Sequence, residues 1–134
     1  MKTPVKKRIQ IKNERGQTMT EFALVLPVLA LILFAVIQFG IVFNNYVQLT
    51  DATRAGARKA AVSRQTSDPA GTAAAAVRSS AKDLKQSDLS VTVSSTWQPT
   101  ADVSVTATYP YSISLLGMVV KSGRLSSTTT ERVE

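Results

Sequence analysis

Between positions 22 and 43 the chain carries 22 residues without a single charged side chain. At about 1.5 Å per helical residue that run reaches about 33 Å, enough to cross a hydrocarbon core of about 30 Å. It therefore predicts a membrane-spanning helix. In a chain of 134 residues, little is left beside it. Any water-exposed domain has a small core and is marginal on its own.

The net charge of +7 would suit nucleic acid if it lay on a folded face. Most of it lies elsewhere. Residues 1–16 hold Lys2, Lys6, Lys7, Arg8, Lys12 and Arg15 against Glu14 alone. A basic tail beside a span is the positive-inside signal, so the N-terminus is expected in the cytoplasm and the C-terminus outside. No basic face interleaved with aromatics follows it, so a nucleic-acid partner is not expected. The sequence contains neither cysteine nor histidine. Disulfides and thiolate metal sites are thereby excluded, as are the usual general base and the commonest metal ligand.

A secretory signal peptide would have a shorter apolar run ending at a small-residue cleavage site. Here the run ends in Phe43-Asn44-Asn45-Tyr46, which offers none. The helix is expected to stay with the mature protein. In front of the run stand Gly16, Gln17, Glu21 and Phe22. A glycine followed by a glutamate and an aromatic residue, just before an apolar helix, resembles the processing signal of type IV prepilins. The resemblance implies cleavage after Gly16 by a prepilin peptidase on an extended peptide at the cytoplasmic face. Glycine allows close approach of a protease to the backbone.

Within the run, Pro27 lacks the N–H that would bond the Ala23 carbonyl, and a kink is expected there. Gln38 could bond a neighbouring helix, and Gly40 would allow one to approach closely. Both residues equally fit a plain position near the interface. Helical patterning continues past Phe43, with small residues Ala52, Ala55, Gly56, Ala57, Ala60 and Ala61 towards its end. One long helix over residues 18–62 is predicted, half in lipid and half emerging. Arg54, Arg58 and Lys59 form its solvated side or a cluster near lipid head groups.

Three separated segments now stand in order: Arg15-Gly16 with Glu21-Phe22-Ala23-Leu24-Val25-Leu26-Pro27, then Gln38-Phe39-Gly40, then Ala52-Thr53-Arg54-Ala55-Gly56-Ala57-Arg58. Together they resemble the TadE-like family, minor pilins or pseudopilins of the Tad (tight adherence) pilus. The resemblance covers roughly residues 15–62. The family's processing site often has tyrosine where this chain has Phe22. What the resemblance implies is a non-enzymatic subunit in the inner membrane. Its expected partners are the prepilin peptidase, other Tad pilins or pseudopilins, the assembly platform and membrane lipid. It also implies that Glu21 pairs with the new N-terminal amine at Gln17 of a neighbour during assembly. The plainer role of Glu21 is an interfacial acid at a helix start, favoured by the helix dipole.

Asp68-Pro69-Ala70-Gly71 reads as a turn, followed by an alanine-rich helix over residues 72–85. From Leu89 the period becomes two. Strands are predicted over residues 89–94 and 103–109, with a third over residues 125–133. Residues 113–120 read as an irregular apolar connection. Trp97, between the first two strands, suits core packing better than an exposed binding tip. The expected fold is α+β: a long N-terminal helix, a second short helix and about three antiparallel strands. Three parts follow: a leader (1–16), the long helix (17–62, with the span at 22–43) and an extracytoplasmic head (63–134).

No carboxylate pair, phosphate loop or nucleophile–base constellation is present, so catalysis is not expected and no cofactor or metal is called for. The principal alternative is an uncleaved single-pass anchor that displays a small binding module, including a sensory one.

Overall fold

The computed structural model describes residues 14–115 and 117–134. Helix α1 runs over Glu14–Ala61, 48 residues, with Pro27 inside it. Helix α2 covers Pro69–Ser80. Three strands follow: β1 (Ser90–Ser95), β2 (Asp102–Leu115) and β3 (Met118–Arg132). They form one antiparallel meander in the order β1-β2-β3. The architecture is α+β, as the periodicities predict.

The chain divides into two compact units, residues 1–34 and Ala35–Glu134. The break falls inside α1, not at the end of the long helix. The second half of that helix therefore belongs to the head. The reason lies in its apolar spacing. Leu49, Ala52, Ala57 and Ala60 are completely buried, and Gly56 is buried with them. These small side chains recur at three- and four-residue steps, so they form one stripe of the helix. They share a core with Ala73 and Val77 of α2 and with Val103, Val105 and Ala107 of β2.

Gly56 shows why the stripe is small. A Cβ there would overlap the Val77 side chain and lie 3.3 Å from the Ala73 carbonyl oxygen and 3.3 Å from a Val105 methyl. The α1 backbone is pressed against α2 and the sheet at this one point. Beside it sits a buried hydroxyl cluster. Thr53 Oγ1 donates to the Thr50 carbonyl at 2.8 Å, lies 3.1 Å from Ser127 Oγ and accepts from Thr129 Oγ1 at 3.2 Å. A hydroxyl buried at zero exposure thus has its partners, which ties α1 to β3.

Helix α2 begins three residues earlier than the sequence pattern suggests. Asp68 is its N-cap and accepts from the Gly71 N–H at 2.8 Å. Pro69 occupies the first turn, where its missing N–H has no helical partner to lose. The helix stops at Ser80. Ala81 and Leu84 lie in the following turns and still reach the core.

The larger difference concerns residues 113–120. They are not an irregular connection. Strands β2 and β3 continue through this segment, paired from Asp102↔Arg132 to Leu115↔Met118, with an irregularity at Ile113/Ser114. Gly117, at φ 83°, supplies the left-handed residue of the tip. Pro110 looks like a strand breaker in the sequence. It is tolerated because β1 pairs only as far as Thr108, so beyond that point β2 has a free edge. Tyr111 lies across its register partner Gly123, with ring and hydroxyl atoms 3.0–3.2 Å from where a Cβ would stand.

The β1–β2 loop holds Trp97 and Thr100 in left-handed conformations, at φ 56° and 65°. Trp97 is half-buried and packs against the core, so it is a packing residue. The chain's last residues close the fold: Val133 N–H bonds Ala101 O at 2.8 Å, and Glu134 N–H bonds Ala61 O at 3.0 Å.

Candidate functional site

The first half of α1 carries the residues singled out by the sequence. Helical structure extends back through Gly16 to Glu14, four residues before the predicted start. Residues 1–13 of the basic leader lie outside the described residues. Gly16 is therefore helical, not extended, and its carbonyl accepts from Thr20 Oγ1 at 2.9 Å. Gln17 Nε2 donates to Glu21 Oε1 at 3.0 Å. The two stand one turn apart, on the same side of the helix. Phe22 follows, with 57% of its surface exposed.

From there to Phe34 every side chain is exposed. Leu24 is 73% exposed and Leu33 62%. A contiguous apolar surface of this size is a lipid or protein interface, since water would not stabilise it. Pro27 sits within this stretch, and the helix remains continuous through it. Among the described residues α1 is long and apolar enough to cross a membrane.

Gln38 is half-buried and lines a cleft of about 280 Å³ with Ala35, Phe39, Ile113, Leu115 and Val120. Gly40 is exposed, and a Cβ there would meet nothing within 4 Å. These two residues thus point to different surroundings. Gly56 is buried within the head, at its tightest helix crossing.

Asp51 and Arg54 make an exposed ion pair at 3.4 Å, and Arg58 and Lys59 face solvent. Such exposed pairs contribute little to stability. Asp88 is held below the ordinary carboxylate range, chiefly by a hydrogen bond from Ser87 and then by one from Lys85. Among the described residues no three His, Cys, Asp or Glu side chains gather as a metal site would require.

Two features escaped the sequence reading. One is the Thr53–Ser127–Thr129 cluster, in which Thr53 lies more than 70 positions from its two partners. The other is the apolar hairpin tip, announced only by the lack of charge in residues 113–120 and the cations that follow.

Fold and surface together define a membrane-anchored protein in which one long helix is both the anchor and part of a small α+β head. Residues 16–58, most of helix α1, are similar to the family described as TadE-like protein. No curated protein and no solved structure matches the chain. The family match and the exposed apolar helix fit a membrane-anchored, Tad-associated protein.

Proposed function

We propose that this protein is a minor pilin or pseudopilin that works by helix assembly in the biogenesis of a Tad pilus, a structure used in adhesion or secretion. The observation that carries the reading is a coincidence of boundaries. The TadE-like match begins at Gly16, where the processing motif stands, and continues through an apolar helix surface that is exposed among the described residues.

In this reading the basic leader keeps the N-terminus in the cytoplasm, and the helix crosses the inner membrane. A prepilin peptidase cuts after Gly16. The first turn of α1 must unwind for that cut. Glycine lowers helix stability by about 1 kcal/mol relative to alanine, so Gly16 weakens the turn where unwinding is needed. Cleavage exposes an amine at Gln17, one turn from Glu21. A carboxylate drawn into a helix bundle needs a partner, because burying it alone is costly. The amine of an adjacent subunit supplies that partner, and in this way cutting licenses assembly.

N-terminal sequencing of the protein from cells tests the first step. A chain starting at Gln17 is expected, and an intact Met1 start would overturn it. The second step is tested with Glu21→Gln. It should be cut normally but fail to enter the assembly; normal incorporation would refute the pairing. A second reading is an uncleaved anchor displaying a binding head. The helical state of Gly16 favours it, and the same N-terminal sequence separates the two.

A further inference from the structure

The β2–β3 hairpin extends well past the sheet. Beyond Thr108 it has no third strand, and residues 109–115 continue for about 20 Å at about 3.3 Å per residue. Its far end is apolar. Residues 113–120 carry no charge, and Met118, Val119 and Val120 are 70%, 64% and 67% exposed. They contribute nothing to the head core, whose nearest members on the hairpin are Tyr109 and Leu125.

The hairpin lies beside α1 at a defined level. Ile113, Leu115, Val120 and Lys121 line one cleft with Ala35, Gln38 and Phe39 of α1, and its exposed surface is apolar, so Lys121 presents its stem there. Those helix residues precede the polar step Asn44-Asn45, which ends the apolar run, by five to nine positions. At about 1.5 Å per residue the hairpin tip lies about 8–14 Å on the lipid side of that step. A second cleft marks the polar boundary, where Tyr46 of α1 faces Tyr111, Lys121 and Arg124 of the hairpin. Tyrosines and long cations beside an apolar tip form the pattern of a membrane interface. Their polar ends reach head groups while their stems cover acyl chains.

The geometry points to the tip of the β2–β3 hairpin as a second membrane element, dipping into the outer leaflet beside α1 with Lys121 and Arg124 on lipid phosphates. Depth is limited by the hairpin's own backbone. Its free edges carry N–H and C=O groups without strand partners, and these cannot enter dry hydrocarbon. The tip's backbone therefore keeps water and head groups around it, and the outer leaflet thins locally to meet it at the level of Ala35 and Phe39. Only the side chains of Leu115, Met118, Val119 and Val120 reach further. Two contacts with the membrane would fix the tilt and rotation of the head, which a single helix leaves free. This inference rests on α1 as the membrane anchor and does not require pilus assembly.

The natural chain has no cysteine, so single labels are specific. The full chain carrying Val119→Cys with an environment-sensitive fluorophore is reconstituted into phosphatidylcholine vesicles containing phosphatidylglycerol. Lys82→Cys, exposed after α2, is the reference. The Val119 label should be quenched several-fold more than the Lys82 label by lipids brominated near the glycerol end of the acyl chain, and it should be shielded from aqueous iodide. Equal behaviour of the two labels would overturn the proposal. Shielding that disappears as the protein is diluted in lipid would overturn it too, assigning the tip to a second copy. The vesicles contain no peptidase and no other pilus component, so either failure leaves the assembly proposal untouched.

Discussion

Gly56→Ala is the sharpest probe of how α1 joins the head. In an open helix this change stabilises by about 1 kcal/mol, because glycine has the greater backbone entropy to lose. Here the new methyl has no room. It would overlap Val77, whose β-branched side chain is stiff and completely buried. The Ala73 carbonyl and a Val105 methyl, each at 3.3 Å, block the two ways around it. Overpacking of this kind costs typically 1–3 kcal/mol, and the surrounding backbone places this case at the upper end. The net result should be a loss of about 1–2 kcal/mol, or about 5–15 °C in Tm for a head of this size. Urea titration of the full chain in detergent, followed by the fluorescence of the single Trp97, measures it. Val77→Ala alone should cost about 2 kcal/mol for two buried methyls and their cavity. In the Gly56→Ala background it should cost at least about 1 kcal/mol less, since it makes room for the new methyl. A more stable Gly56→Ala protein, or additive single changes, would refute the close crossing.

Thr53→Val should cost about 1–2 kcal/mol in the same titration, because Ser127 and Thr129 lose a buried partner. The double change Thr53→Val with Ser127→Ala should recover part of that loss. Asp88 should titrate below the ordinary aspartate value in an NMR carboxyl titration and move up towards it in Ser87→Ala. Because its folded-state pKa is depressed, its contribution to stability is present above the ordinary value of about 3.9 and is lost as pH falls through the lowered one. Asp88→Asn should remove that acid-side dependence.

How much of this was legible beforehand depended on the kind of signal. The long helix was readable because an uncharged run and helical spacing agree over many turns. The paired halves of β1 and β2 were readable because Val91, Val93, Val103 and Val105 alternate with Ser and Thr. The hairpin tip was not. Pro110 and the uninterrupted Met118-Val119-Val120 break the alternation, and Pro110 is tolerated because β1 stops before it. The start of α2 was hidden because Asp-Pro signals both a turn and an N-cap. The motif residues at Gly16, Glu21 and Phe22 were plain in sequence, whereas the helical state of Gly16 was not. Gly56 was visible as one small residue among several. Its closeness to Val77 depends on a crossing that no local pattern encodes.

The buried stripe of α1 also bears on the order in which the protein can form. The strands are joined by short connections, so the sheet can close early. Its cover comes late. Leu49 and Val133 belong to one core across 84 positions, and the Glu134–Ala61 bond closes a loop almost as long. Until then Val103, Val105 and Ala107 present an uncovered apolar face. Because α1 is held at the membrane, the missing layer is always within tether reach, at a high effective concentration. Folding of the head thus becomes a local search at the bilayer surface, and a head severed from its anchor would lack the piece that completes it.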